Sequence, residues 1–410
     1  MKVSNKIVFS LFIFTLVGCA TYQLKVSEGR RHIENRQFAK AAEVLKSLAL
    51  QESDDQLVYL LDYATALQIA GEYKESNKAF MAADVIAEES DYHSISRIGG
   101  SLLLSEGMVQ YKGDPFEKVT INAMMAINFL MMENYDSALV EAKRINTKLG
   151  KYETDGRKRY DQSAFAYYLS AMIWEAQKKY DDAYIDYKKV YKLDPSVPFI
   201  GKDLIRLSKR AQRMNDHKKW KAQFSEFKDN KSWYSNRTGE IILISQIGWG
   251  PRKSPRPENH RYPMLRPVRS FTHSVKMKVE GAGTQKTEFL YSMEDVAIKT
   301  LNGDFATLVA KRVAGVVAKA VVADQIRQQN QGLGDLAWIV MNVADQADLR
   351  HWSTLPSSIQ IARLRVKPGK YKIYVGGLSH RGMATGESAE FHDVEVKPGR
   401  QVFLNWRTVE

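Results

Sequence analysis

The chain has 410 residues, 44% hydrophobic and 26% charged, with 25 Gly and 11 Pro, which fits two or three globular domains and excludes a disordered or collagen-like chain. Its single cysteine excludes an internal disulfide framework. The formal net charge is +13. A leader carrying Lys2 and Lys6 accounts for two of those charges. Residues 201–273 hold 17 Lys and Arg against 6 Asp and Glu, the remaining +11. So concentrated a block points to an anionic partner.

The chain opens with a basic n-region and an apolar run from Ile7 to Phe14, followed by Leu16-Val17-Gly18-Cys19. The run is too short to span a bilayer, which takes about 20 apolar residues, and has the form of a secretory leader. Leu-Val-Gly-Cys resembles the lipobox of bacterial lipoproteins. The resemblance implies that residues 1–18 are removed and that Cys19 carries the lipid, so the membrane is one partner through N-terminal acyl chains. More than one chain gives stable attachment. Ala20 and Thr21 lack the Asp that holds such proteins in the inner membrane. By resemblance, the protein is an outer-membrane lipoprotein facing the periplasm, where nucleic acid is not a partner.

Residues 19–230 have helical periodicity. One phrase recurs: an aromatic, a small residue three on, then bulky residues four and three further. It occurs as Phe38, Ala41, Leu45, Leu48; as Tyr73, Ser76, Phe80, Ala83; as Tyr135, Ala138, Ala142, Ile145; and as Tyr180, Ala183, Tyr187, Val190 before Asp194-Pro195. The small residue suits a close helix crossing, and the bulky ones extend one buried stripe. This resembles the tetratricopeptide repeat, although the aromatics are 35, 62 and 45 residues apart. Paired first helices are expected at Leu60, Ala64 and Leu67, and at Ala166, Leu169 and Ile173. Residues 91–118 are expected to be an insertion and 150–160 a polar link. Such arrays bind peptides or proteins on their concave face. Tyr184 and Tyr187 are candidates to line it.

Residues 231–270 are expected to form a basic, Pro-rich linker or loop containing the first strand, Ile241–Ile247. Between Trp249 and Arg269 lie five prolines, six basic residues and one acid. Arg252, Lys253, Arg256, Arg261 and Arg266 are candidates to bind a protein partner or an anionic envelope polymer, with the loop adding little to the core.

Residues 271–410 are expected to form an α+β domain. Strands are predicted at 271–279, 359–366, 371–375 and 402–406. Val366-Lys367-Pro368-Gly369 and Val396-Lys397-Pro398-Gly399 are expected to close two hairpins of an antiparallel sheet or sandwich. Two helices, one spanning Phe305–Val321 and one after Gly332-Leu333-Gly334, are expected to pack on a sheet face. The fold class is therefore multidomain, with an all-α repeat followed by α+β. The phrase around Ala347–Pro356 resembles, with the lipobox and early repeats, an uncharacterised family of proteobacterial outer-membrane lipoproteins.

No nucleophile elbow, phosphate loop or metal-ligand spacing occurs, so no metal or cofactor is expected. Asp348, His351 and Ser353 are the one cluster from which an envelope hydrolase could be built. A non-catalytic lipid-anchored scaffold, binding periplasmic or outer-membrane proteins, is the preferred reading.

Overall fold

The computed structural model describes residues 20–92, 109–156, 162–343 and 346–410. Cys19 and the leader lie outside the described residues, as does most of the expected insertion.

The helical half is a series of helix pairs: α1 (Ala20–Glu34) with α2 (Phe38–Ala49), α3 (Gln56–Ile69) with α4 (Tyr73–Tyr92), α5 (Pro115–Met131) with α6 (Tyr135–Thr154), α7 (Ala164–Ala176) with α8 (Tyr180–Leu193), and α9 (Ile200–Arg210) with α10 (Met214–Gln223). Each helix packs on the next. One turn recurs in all five pairs. A left-handed residue (Arg36, Gly71, Glu133, Lys178 or Gln212) stands two positions before the second helix. The following N–H reaches back five residues: Gln37 to His32, Glu72 to Leu67, Asn134 to Phe129, Lys179 to Trp174 and Arg213 to Ser208. This is the Schellman closure, which satisfies carbonyls at the end of the first helix.

The four predicted copies fall at the starts of α2, α4, α6 and α8. Ala41, Ser76, Phe80, Ala138 and Ala183 are fully buried, and Phe38, Tyr73 and Tyr180 are half-buried. The pair α9–α10 is a fifth unit that the phrase misses, because Met214 replaces the aromatic and His217 the small residue. The expected link at 150–160 begins later, since α6 runs to Thr154.

Second helices α2, α6 and α8 bury one face. First helices α3, α5 and α7 are buried on nearly every side. A helix apolar all round must be covered all round, and the C-terminal half supplies the cover.

That half holds two four-stranded sheets. The first has the order β10–β1–β7–β6 and the second β5–β4–β8–β9. The strands are β1 (Gly239–Ile247), β4 (Ser274–Val279), β5 (Gly283–Lys286), β6 (Glu288–Ser292), β7 (Ser358–Val366), β8 (Gly369–Leu378), β9 (Ala384–Val396) and β10 (Gln401–Arg407). β1 is buried throughout because its two faces serve two cores. Ile241 and Leu243 meet Val275, Met277 and Ile373 of the second sheet. Ile242 and Ile244 join the core of the helical array, with Ile359, Ile361 and Phe403. The layers are helices, sheet, sheet, and one apolar core crosses from the helical half into the α+β half.

Several expectations are corrected. The first sheet is mixed, because β10 runs parallel to β1. The two Pro-Gly turns close no hairpins: β7 and β8 lie in different sheets, as do β9 and β10, so each turn carries the chain across the sandwich. Residues 252–266 are not a loop but a β-hairpin, β2 (Arg252–Pro255) with β3 (Pro263–Arg266). The two C-terminal helices, α11 (Met293–Gln329) and α12 (Gln331–Val343), do not cover a sheet face. They pack mainly on each other.

Ala183 has no exposed surface at the α7–α8 crossing. Ala183→Leu is expected to cost about 1–3 kcal/mol by overpacking. Chemical denaturation measures it, and a midpoint equal to wild type would show the repeat register to be wrong.

Candidate functional site

The inner side of the array is where a repeat protein would receive a partner, and here the chain fills it with its own residues 347–356. Trp352 is buried there. Its indole donates to Thr65 Oγ1 (2.9 Å) and its ring lies 5.6 Å from Phe80. Its backbone N–H donates to Glu117 Oε1 at 2.9 Å. Ser353 Oγ and Thr354 Oγ1 both donate to the Asp62 carboxylate at 2.9 Å, and the Thr354 N–H adds a bond of 3.0 Å. Tyr22 Oη donates to His351 O (2.7 Å). Helices α1, α3 and α5 thus grip this segment through hydrogen bonds and one large ring.

A second set of bonds fixes β7 to the array. The Arg363 guanidinium reaches Asp203 of α9 (2.9 Å), Glu240 of β1 (3.0 Å) and the Tyr168 hydroxyl of α7 (3.1 Å). Arg206 completes the cluster with Asp203 (2.7 Å) and Glu175. Burial alone would depress the Arg363 pKa; Asp203 and Glu240 more than reverse that. Burial would also raise Asp203, but Arg363 and Arg206 hold it below the usual carboxylate range. Between these anchors runs a polar chain: Gln246 of β1 donates to Gln68 of α3 (2.9 Å), and Gln68 to Asn128 of α5 (2.7 Å).

The candidate catalytic residues do not converge on one another. Asp348 accepts from the Arg350 guanidinium at 2.8 and 2.9 Å, and Arg350 also pairs with Asp55 at 2.9 Å. Ser353 is bonded to Asp62, not to His351. Burial, with Lys253 nearby, lowers the His351 pKa to about 3, so the imidazole is neutral at physiological pH and too weak a base to activate a hydroxyl. Leu355 is buried beside them. No group of three or more His, Cys, Asp or Glu side chains that could hold a metal occurs among the described residues.

The other candidate residues divide. Tyr184 and Tyr187 are corrected: both are fully buried, with Tyr184 Oη donating to Asp216 (2.7 Å) and Tyr187 edge-on to Tyr168, so neither meets a partner. Arg252, Lys253 and Arg256 are committed to the structure. Arg252 donates to Ser353 O and lies over Trp249, Lys253 donates to Arg350 O (2.9 Å), and Arg256 lies 4.1 Å over Phe305. The hairpin therefore helps close the lid on residues 347–356, contrary to a loop outside the core. Arg261 and Arg266 are exposed. An open cleft of about 260 Å³ lies elsewhere, between Glu133 and Tyr135 of the array and Lys397 and Arg400 of the β9–β10 crossing.

Asp62, Glu117, Glu175, Asp203, Arg206 and Arg363 were missed as organising residues. The available signal was the single charged residue inside a mostly apolar helix, as Asp62 is in Gln56–Ile69, since a buried carboxylate needs buried donors.

The helical half is an array of helix pairs joined by one recurring turn. Among solved structures, the chain is similar to MamA 41-end from Desulfovibrio magneticus RS-1, at 17% identity and a TM-score of 0.33, covering 50% of this chain and 91% of that one. It is also similar to a Podosopora anserina putative kinesin light chain with nearly identical TPR-like repeats, at 12% identity and a TM-score of 0.35, covering 50% and 93%. No protein-family model and no curated protein matches the chain.

Two outcomes follow from this packing. Trp352→Ala is expected to destabilise by about 3–5 kcal/mol, since it empties a buried ring site; calorimetry checks it, and a loss under 1 kcal/mol would mean that the segment does not close the array. Burial and the neighbouring Asp114 raise the Glu117 pKa to about 7. Because the folded value lies above the unfolded one, its contribution is full below the ordinary Glu pKa and is lost as pH rises through 7. His351 has the opposite sign, its contribution being lost as pH falls from its ordinary value toward 3. Denaturation of wild type and Glu117→Gln between pH 5 and 8 isolates the first effect: stability of the variant relative to wild type should rise with pH.

Proposed function

We propose that this chain is a lipid-anchored, periplasm-facing scaffold of the outer membrane that binds envelope proteins. The leader and Leu16-Val17-Gly18-Cys19 support the anchor. Among the described residues, no helix is long and apolar enough to cross a membrane.

One observation carries the scaffold reading. Of the residues with chemical potential, Ser353 bonds Asp62 of the array, Asp348 holds the Arg350 guanidinium that pairs with Asp55 of the array, and the buried His351 imidazole faces Leu349 O, so no hydroxyl is bonded to the imidazole. A peptide-binding groove closed by the chain itself leaves the outer surfaces, the cleft by Arg400 and the α11–α12 hairpin for partners. A hydrolase would need at least a hydroxyl bonded to its base. The exposed Arg261 and Arg266 support an anionic envelope polymer as a second ligand.

Two measurements test this reading. Cys19→Ser is expected to abolish acyl labelling and to release the protein from the membrane or leave it as an uncleaved precursor; normal labelling of the variant would refute the anchor. Photocrosslinking in intact cells should trap envelope proteins from exposed positions such as Val317, and none from Trp352. Trapping from Trp352 alone would mean that the groove opens to a partner.

A further inference from the structure

Three features of different kinds meet at one corner of the molecule. The first is where the described chain begins. Helix α1 starts at Ala20, directly after Cys19. Three residues later Gln23 Nε2 donates to Leu349 O (2.9 Å), while Leu24 and Lys25 are exposed. Cys19 is four residues from Gln23 along the chain, so a lipid on Cys19 would have only that length of chain between it and the folded body.

The second is α12, which ends at Val343, six residues before Leu349. One side packs tightly on α11: a Cβ added at Gly334 would lie 2.5 Å from Arg327 Cα. Away from that contact, Leu333, Leu336 and Ile339 recur every third residue with 56%, 36% and 49% of their surface exposed. The helix has one charge, Asp335, paired with Arg327 at 2.8 Å. The third feature is the turn of the β2–β3 hairpin. Arg312 of α11 donates both to Arg261 O in that turn and to Gln346 O just beyond α12 (3.2 Å for the latter), which places the exposed Arg261 at the same junction.

We propose that this corner is a membrane-docking surface. The apolar side of α12 enters the headgroup–acyl boundary of the bilayer that holds the Cys19 lipid, and Lys25 and Arg261 face its anionic headgroups. This rests on the lipid-anchor reading. The position of Ala20 selects the bilayer as the occupant, and the cations fit its surface charge. The geometry is that of an interfacial helix, buried about 5–10 Å. At 13 residues α12 is about 20 Å long, too short to span about 30 Å. The polar hairpin tip, Gln328 to Gln331, opposes tip-first insertion.

The test uses the full chain, purified with its native N-terminus and reconstituted into vesicles of phosphatidylethanolamine and phosphatidylglycerol. Ile339→Cys carries an environment-sensitive fluorophore, and Lys370→Cys, exposed on β8, is the control. The mass of the N-terminal peptide reports separately whether Cys19 is acylated. The expected result is a blue-shifted label at 339, quenched by brominated lipid several-fold more than the label at 370. Less quenching without phosphatidylglycerol would support the role of the cations. Equal quenching at both sites, with Cys19 acylated, overturns docking and leaves the anchor standing. An unacylated Cys19 with a lipid-quenched label at 339 refutes the anchor and leaves docking supported. A label at 339 that is shielded but not quenched means that another protein covers α12, and overturns the proposal.

Discussion

The inner helices of the array cannot exist as an open surface. Helices α3, α5 and α7 carry apolar residues around nearly their whole circumference. Stripped of the C-terminal half, they would expose a contiguous apolar face of the kind that soluble proteins cover. The sheet β10–β1–β7–β6 and the segment 347–356 supply that cover, and the rest of the architecture follows. β1 must be apolar on both faces, and the basic hairpin becomes part of the lid.

Burial explains the extent of this interface, and polar groups explain its register. Asp62 is fully buried and desolvation raises its pKa, yet Ser353 and Thr354 give it three donors, which favour the charged form. Arg363 couples two elements of the array to β1 in the same way. Removing one partner from such a cluster leaves an uncompensated buried charge, whereas apolar residues alone would allow sliding. Ser353, one of the residues most suggestive of catalysis, is thus held as a fastener. Position, not residue type, decides its role.

The surfaces that remain free are the outer faces of α2, α4, α6 and α8, the second sheet, the cleft by Arg400 and the hairpin. Evolved repeat arrays present a groove to partners; this one has spent its groove on itself.

Local rules were legible in the sequence. The four repeat phrases, the paired helices before Gly71 and Lys178, and the strands at 241–247, 359–366 and 402–406 all stand where periodicity puts them, because helix and strand periods are set by neighbours within a few residues. The fifth helix pair was hidden because Met214 and His217 break the phrase while keeping the turn. Only the tertiary structure decided what faces what. Val-Lys-Pro-Gly specifies a tight turn, but whether its strands pair or part depends on which sheet each can join. Tyr184 and Tyr187 are equally consistent with a groove and a core until the crossing of α8 with its neighbours buries them. The Arg252–Arg256 charges looked free because their acceptors are carbonyls and rings distant in sequence. Asp348 and His351 find partners two residues away, in Arg350 and Leu349 O, within reach of local rules, but the partner of Ser353, Asp62, was fixed only when residues 347–356 entered the array.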